Sequence, residues 1–299
     1  MMMKKKDFVV GLDIGSKKIS GCIGRLDKHG KINIAGASSV SSKGIKNGIV
    51  IDIKELTDSI ENLKKQLEKI SELKMSSVYA NIAGSHIKTH IVKGHINIAD
   101  RDNEISRLDI SRVIDIAKNT SIPVDRHILH IFPSGFIVDD QSGIKDPIGM
   151  FGRKLEVELT IITALPSDTQ NITKSIRASG VDIEELIFSG FATGNAVLRD
   201  HERELGAVLI DIGASITEIT VFWGNNIKFT EIIPIGGDYI TESISKELKV
   251  SLEYAELIKK RFGCVSSKKI PESEKFILRW PISKKHYEEI FLRDNRAND

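Results

Sequence analysis

An α/β protein built from two duplicated domains, with a β-rich subdomain inserted between the copies, is the fold class this sequence predicts. The first observation behind it is a repeat. Phe8-Val-Val-Gly-Leu-Asp13-Ile-Gly15-Ser16-Lys17-Lys18-Ile19 near the start is matched by Gly206-Ala-Val-Leu-Ile-Asp211-Ile-Gly213-Ala214-Ser215-Ile-Thr217 much later. Each copy is an apolar strand ending on an acid, a glycine two residues on, then a returning strand. Each then meets a polar turn (Asp27 to Gly30; Gly224 to Asn226) and a third strand. The second observation is that the hydrophobic period changes between the copies, from a helical stripe near residue 60 to strict alternation near residue 158.

In order along the chain, Asp52-Ile-Lys-Glu55 after the first hairpin resembles a capping box. Leu56, Ile60, Leu63, Leu67 and Ile70 follow as one apolar stripe, which predicts an amphipathic helix covering the hairpin's sheet. Ser77 to Gly84 reads as a returning strand. From Ser85 the pattern becomes β-rich, with strands over Ile87 to Ala99 and His127 to Asp139 around a helix, Asp109 to Asn119. That helix turns Ile110, Val113, Ile114 and Ala117 inward. Lys154 to Ile162 alternates, with Leu155, Val157, Leu159 and Ile161 on one face. Ser167 opens a helix that buries Ile172 and Ile176 and stops at Gly180. Phe188 to Leu198 reads as a short connecting helix. Beyond the second hairpin, Gly236-Gly237 precedes a helix carrying Ile240, Ile244 and Leu248. Ser251 caps another that ends at Gly263, and Ser283 to Arg293 reads as a last helix. The expected domains are 1–84 with 163–203, the insertion 85–162, and 204–299.

The repeated unit suits phosphate chemistry. Glycine tolerates positive φ, so such a turn can direct backbone N–H groups into an anion nest. Ser16, Ser215 and Thr217 add hydroxyls, and Lys17 and Lys18 add charge. An aspartate at a strand end can hold Mg²⁺ through its water shell. The 299 residues allow two domains with substantial cores. A net charge of +2 gives no bias toward nucleic acid. No run approaches the ~20 apolar residues of a spanning helix, and no signal-peptide core follows the N-terminal lysines. Cys22 and Cys264 make no disulfide framework or zinc site. A cytoplasmic protein is expected. No G-x-x-x-x-G-K-[ST] or G-x-G motif is present, and His127-x-x-His130, in a strand, points to opposite faces.

The paired hairpins resemble the phosphate-1 and phosphate-2 hairpins of the actin-like (ribonuclease H-like) superfamily that includes Hsp70 and sugar kinases. The insertion narrows this. His130-Ile-Phe-Pro133-Ser-Gly-Phe-Ile-Val-Asp139, followed by Gly143-Ile-Lys-Asp-Pro147-Ile-Gly149-Met-Phe-Gly152, resembles the subdomain 1C (SHS2-like) signature of the FtsA family of bacterial cell-division proteins. Glu184 to Gly190, Glu202 to Gly206 and Ile233 to Asp238 continue the likeness. The resemblance implies ATP and Mg²⁺ held between two domains, self-association, and recruitment of FtsZ and other divisome proteins to the cytoplasmic face of the cell membrane at the division site. It implies that Asp13, Gly15, Ser16, Lys17 and Lys18 line the phosphates from one side. Asp211, Gly213, Ala214, Ser215 and Thr217 would face them, with Gly236 and Gly237 approaching the phosphates and Glu256 and Lys259 the ribose and base. Asp211, with Asp13, is the expected metal ligand.

Three departures qualify the expectation. Ala214 stands where the family has a further glycine. The segment Ser189 to Thr193 lacks the Gln or Glu that positions water in hydrolysing relatives, so at most a weak ATPase is expected. The family's adenosine loop and membrane-binding amphipathic helix have no counterpart in this sequence, so membrane contact is expected only through a partner. A small-molecule kinase or phosphatase of the same superfamily, and a nucleotide-free scaffold, are the alternatives.

Overall fold

A computed structural model describes residues 8–98, 103–264, 275–279 and 287–291. The chain divides into two compact units, one ending at Gly236 and the other beginning at Gly237.

The first unit opens with β1 (Phe8–Ile14), β2 (Lys18–Leu26), β3 (Ile32–Ser41) and the small hairpin β4 (Ile45–Lys46) and β5 (Ile49–Val50), then α1 (Ile53–Ser71) and β6 (Ser77–Ile82). The insertion holds β7 (Lys88–Asn97), α2 (Arg107–Ser121), β8 (His127–Val138), β9 (Gln141–Ile144) and β10 (Lys154–Ala164). Next come α3 (Pro166–Ala178), β11 (Asp182–Phe188), α4 (Ser189–Val197), α5 (Asp200–Leu205) and the meander β12 (Ala207–Ile212), β13 (Thr217–Trp223) and β14 (Asn226–Ile233). The first sheet runs β11-β6-β1-β2-β3, with β6 parallel to both β1 and β11. The insertion's sheet runs β7-β10-β8-β9, and the third sheet is β12-β13-β14.

Helix α1 starts where Asp52 accepts the Glu55 N–H at 3.0 Å and buries Leu56, Ile60, Leu63 and Leu67 completely. Leu63 and Leu67 reach the sheet at Gly21, where an added Cβ would lie 3.1 and 2.6 Å from their methyls. Truncating Leu63 should therefore leave a cavity that the rigid sheet cannot close. Leu63→Ala is expected to cost about 2–5 kcal/mol, read from urea denaturation. A loss under about 1 kcal/mol would show that the helix does not depend on this contact. Ile70 departs from the expected stripe and is 54% exposed, because it sits over Gly36 at the sheet margin, where no side chain rises to cover it.

Strand β10 serves two cores at once. Leu155, Val157, Leu159 and Ile161 pack with Val113 and Ala117 of α2, while Ile162 and Ala164 belong to the core under α1. The expected alternation thus accounts for one face only. The other face is apolar near its end because the strand leaves the insertion there.

The second unit contains α6 (Gly237–Leu248), α7 (Leu252–Phe262), β15 (Lys275–Arg279) and β16 (Tyr287–Phe291). Ser251 caps α7 by accepting the Tyr254 N–H. On α6 it is Thr241 that is buried, and Ile240 is 54% exposed. The helix expected over Ser283 to Arg293 is corrected: Tyr287–Phe291 is a strand paired antiparallel with Lys275–Arg279. Both segments are rich in aromatic and β-branched residues, which favour a pleated pair once a partner is present. The remainder of that stretch lies outside the described residues.

Candidate functional site

The two hairpins of the first unit are built alike down to the register. Asp13 lies opposite Ser20 across β1 and β2, and Asp211 lies opposite Glu218 across β12 and β13. Each turn closes the same way: Gly15 N–H donates to the Lys18 carbonyl at 3.1 Å, and Gly213 N–H to that of Ile216 at 2.9 Å. This corrects one expectation. Neither glycine has positive φ, and their N–H groups close the hairpins rather than open into a nest. Glycine is needed for room instead, since a Cβ at either position would stand 3.0 or 3.1 Å from the accepting carbonyl oxygen.

The hairpin tips touch. Ser215 Oγ donates to Ser16 Oγ at 2.7 Å, joining residues 199 apart in sequence. Behind them, Asp13 and Asp211 line a cleft of 760 Å³ with Ser20, Cys22, Asn81, Ser189 and Thr193. Asp13 is held from the side by Asn81, whose amide donates to its Oδ1 at 2.6 Å while the Asn81 carbonyl accepts the Ile14 N–H at 2.7 Å. Burial raises the Asp13 carboxyl above the ordinary carboxylate range. The Asn81 bond and Lys18 oppose that rise, and Asp211 adds to it. Gly236 closes on the second turn, where an added Cβ would lie 2.5 Å from the Ala214 carbonyl oxygen. Thr217 spends its hydroxyl on the Ile235 carbonyl at 2.7 Å.

Two further residues belong here that sequence reasoning missed. Asn81 carries a signal only in its place on a strand parallel to β1, which needs the sheet order. Glu218 had a readable one: it is the one acid in a strand of apolar residues and threonines, directly across from Asp211. It is 4% exposed with both carboxylate oxygens unpartnered. Burial, then repulsion from Asp211, pushes its pKa up to about 8.

Gly237, Glu256 and Lys259 lie in the second unit. There the Lys259 ammonium donates to the Gly237 carbonyl at 2.9 Å and to Thr241 Oγ1 at 2.8 Å, and pairs with Glu256 at 2.7 Å. Thr241 Oγ1 also donates to Glu256 at 2.6 Å. The cluster ties the start of α6 to α7.

Among the described residues no group of three or more His, Cys, Asp or Glu side chains is placed to hold a metal ion. Mg²⁺ keeps most of its water and needs only one or two carboxylates. Asp13 and Asp211, which line the same cleft, are the two carboxylates suited to such a cation. Glu218, buried and protonated below about pH 8, adds no charge to it.

Duplicated strand-turn-strand units, a five-stranded mixed sheet, and a short helix leading from one to the other define an actin-like fold. In solved structures, the PilM–PilN type IV pilus biogenesis complex has the same fold at a TM-score of 0.63, with 15% identity over 85% of this chain and 70% of that one. The ethanolamine utilization protein EutJ from Carboxydothermus hydrogenoformans follows at 0.51, with 14% identity over 87% and 63%. The family is narrower than the fold. Residues 84–163 match the SHS2 domain inserted in FtsA, and residues 208–291 match cell division protein FtsA. The FtsA of Pseudomonas aeruginosa is 34% identical over 260 residues, covering 87% of this chain and 62% of the relative. That of Neisseria meningitidis serogroup B is 35% identical over 265 residues, covering 89% and 64%. The chain belongs to the FtsA family of cell-division proteins, and it spans somewhat under two thirds of the length of these relatives.

Proposed function

We propose that the chain is a nucleotide-responsive adaptor of the cell-division machinery, in which the paired hairpins take up the phosphates of Mg-ATP. The observation that carries this is the meeting of the two hairpins: Ser16 against Ser215 at the tips, with Asp13 and Asp211 on one cleft behind them. In this reading Asp13 and Asp211 hold Mg²⁺ through its water shell. The turn N–H groups other than those of Gly15 and Gly213, and the Ser16 hydroxyl, with Lys17 and Lys18, take the phosphate oxygens. Glu256 and Lys259 are assigned no contact with the nucleotide. Helix α4 presents Ser189 and Thr193 to the cleft and carries no acid or amide suited to orienting water there, which supports slow turnover at most. Partners follow from family membership: self-association, FtsZ, and other division proteins at the membrane. The FtsA relatives favour this adaptor reading over a small-molecule kinase.

Calorimetric titration with Mg-ATP tests the nucleotide part. Asp211→Ala removes a charged acceptor from the metal's water shell. A bond of that kind is worth roughly 1.5–3 kcal/mol, so the affinity should fall about 10- to 150-fold. Asp13→Ala should weaken it in the same direction. Equal affinities in both variants and the wild type, or no heat from the wild type at millimolar ATP, would leave a nucleotide-free scaffold.

A further inference from the structure

The inserted domain is joined to the rest of the first unit by two crossings of the chain. One runs from Gly84 to Lys88 and the other from Thr163 to Pro166, at the two ends of the matched SHS2 segment. Arg126, in the connection between α2 and β8, clamps both. Its guanidinium donates to the His86 carbonyl on the first crossing. On the second it donates to Thr163 Oγ1 at 2.6 Å and the Thr163 carbonyl at 3.2 Å. His90 adds a further tie, its Nε2 lying 3.0 Å from Thr163 Oγ1.

The His86 side chain lies within this clamp. It is 5% exposed, and neither ring nitrogen has a hydrogen-bond partner. Nδ1 stands 3.6 Å from Asp168 Oδ2, in the first turn of α3, which is too long for a hydrogen bond. The ring rests on Gly84, whose φ is +142° and where a Cβ would come within 2.7 Å of Nδ1 and Cε1. The turn between β4 and β5 packs on the same backbone, with Gly48 against Ala83 and Gly84 and the Asn47 carbonyl 3.3 Å from where a Gly84 Cβ would stand. The charged groups facing this space are Asp168 from α3 and Arg126 from the insertion, with His90 behind Thr163.

We propose that His86, Asp168 and Arg126 form an acid-released latch at the root of the inserted domain. With the imidazole neutral, His86 fills its slot and Arg126 can hold both crossings. An imidazolium in the same slot would be buried beside a guanidinium, with a carboxylate outside hydrogen-bonding distance as its nearest counterion. Protonation therefore favours conformations in which the slot has opened to water and the clamp is loosened. The direction of the pKa agrees: burial holds His86 below the ordinary histidine value, Arg126 lowers it further, and Asp168 only partly opposes them. Since the closed state resists the proton and the open state accepts it, closure is favoured above the ordinary value and lost as pH falls below it.

The size of the effect follows from linkage. If opening frees a histidine of ordinary pKa, about 6.5, the opening equilibrium rises by up to about tenfold between pH 7.5 and pH 5.5. Amide hydrogen exchange of Ile87, Ile128 and Ala164, corrected for intrinsic rates, should show that rise, while the amides of Leu63 and Leu67 in α1 do not. His86→Gln should abolish the pH dependence. Arg126→Gln should speed opening at both pH values and shrink the ratio, because it removes one of the charges that keep the closed-state imidazole neutral. Proton titration of His86 in the unaltered protein, followed by NMR, should place its pKa below the ordinary histidine value of about 6.5. The latch is overturned if His86 titrates at or above that value, if His86→Gln keeps the rise, or if α1 opens in parallel.

Discussion

Gly194→Leu is expected to be the most damaging single change near the site. Helix α4 packs on the second hairpin through two glycines. A Cβ at Gly194 would lie 2.1 Å from Phe222 Cζ, and one at Gly190 would lie 2.2 Å from Thr220 Oγ1. Phe222 is 1% exposed and belongs to the main core, so its ring has nowhere to retreat. Overpacking a tight core typically costs 1–3 kcal/mol, occasionally more. Here the helix must lift from the strand, so a loss of about 3 kcal/mol or more is expected in chemical denaturation, together with a weakened hairpin contact. Near-normal stability would mean that α4 is not seated on β13 as described.

Glu218→Gln should produce the second large effect, and one that depends on pH. The Glu218 carboxyl is buried opposite Asp211, and its pKa rises to about 8. The folded protein therefore keeps a proton that the unfolded chain releases near 4.5. The proton-linked stability is fully present below that lower value and is lost as pH rises through about 8. Measured in EDTA, the wild type should lose stability on the order of a few kcal/mol between pH 5 and pH 8.5. The Gln variant should lack that contribution, so the difference between the two curves tracks Glu218 alone, and the variant should be the more stable of the two at pH 8.5. Parallel curves for the two proteins would show that Glu218 is ionised when folded. Because the measurement contains no nucleotide, it stands apart from the adaptor reading.

Much of the scaffold was legible in the sequence. The two Asp-x-Gly hairpins, the α1 stripe through Leu67, the Ser251 cap, the Gly180 stop and the α4 connection are local patterns. Each is set by side-chain period or by a turn residue acting within a few positions. Candidate site residues were legible only so far as they fell within the repeat. Asp13, Asp211, Ser16 and Ser215 could be named because the two copies name each other. Asn81 could not, since its role depends on β6 lying beside β1. Glu218 was passed over because an acid in a strand usually faces water.

What the sequence determined by itself is therefore the duplicated α/β architecture with its insertion, because periodicity and turn chemistry act along the chain. Tertiary structure alone decided which groups left water and which met across long separations. It buried Glu218, set His86 between Asp168 and Arg126, and turned Tyr287–Phe291 into a strand. Burial and strand pairing depend on what packs against a residue, and that neighbour is fixed by the fold rather than by the residues on either side.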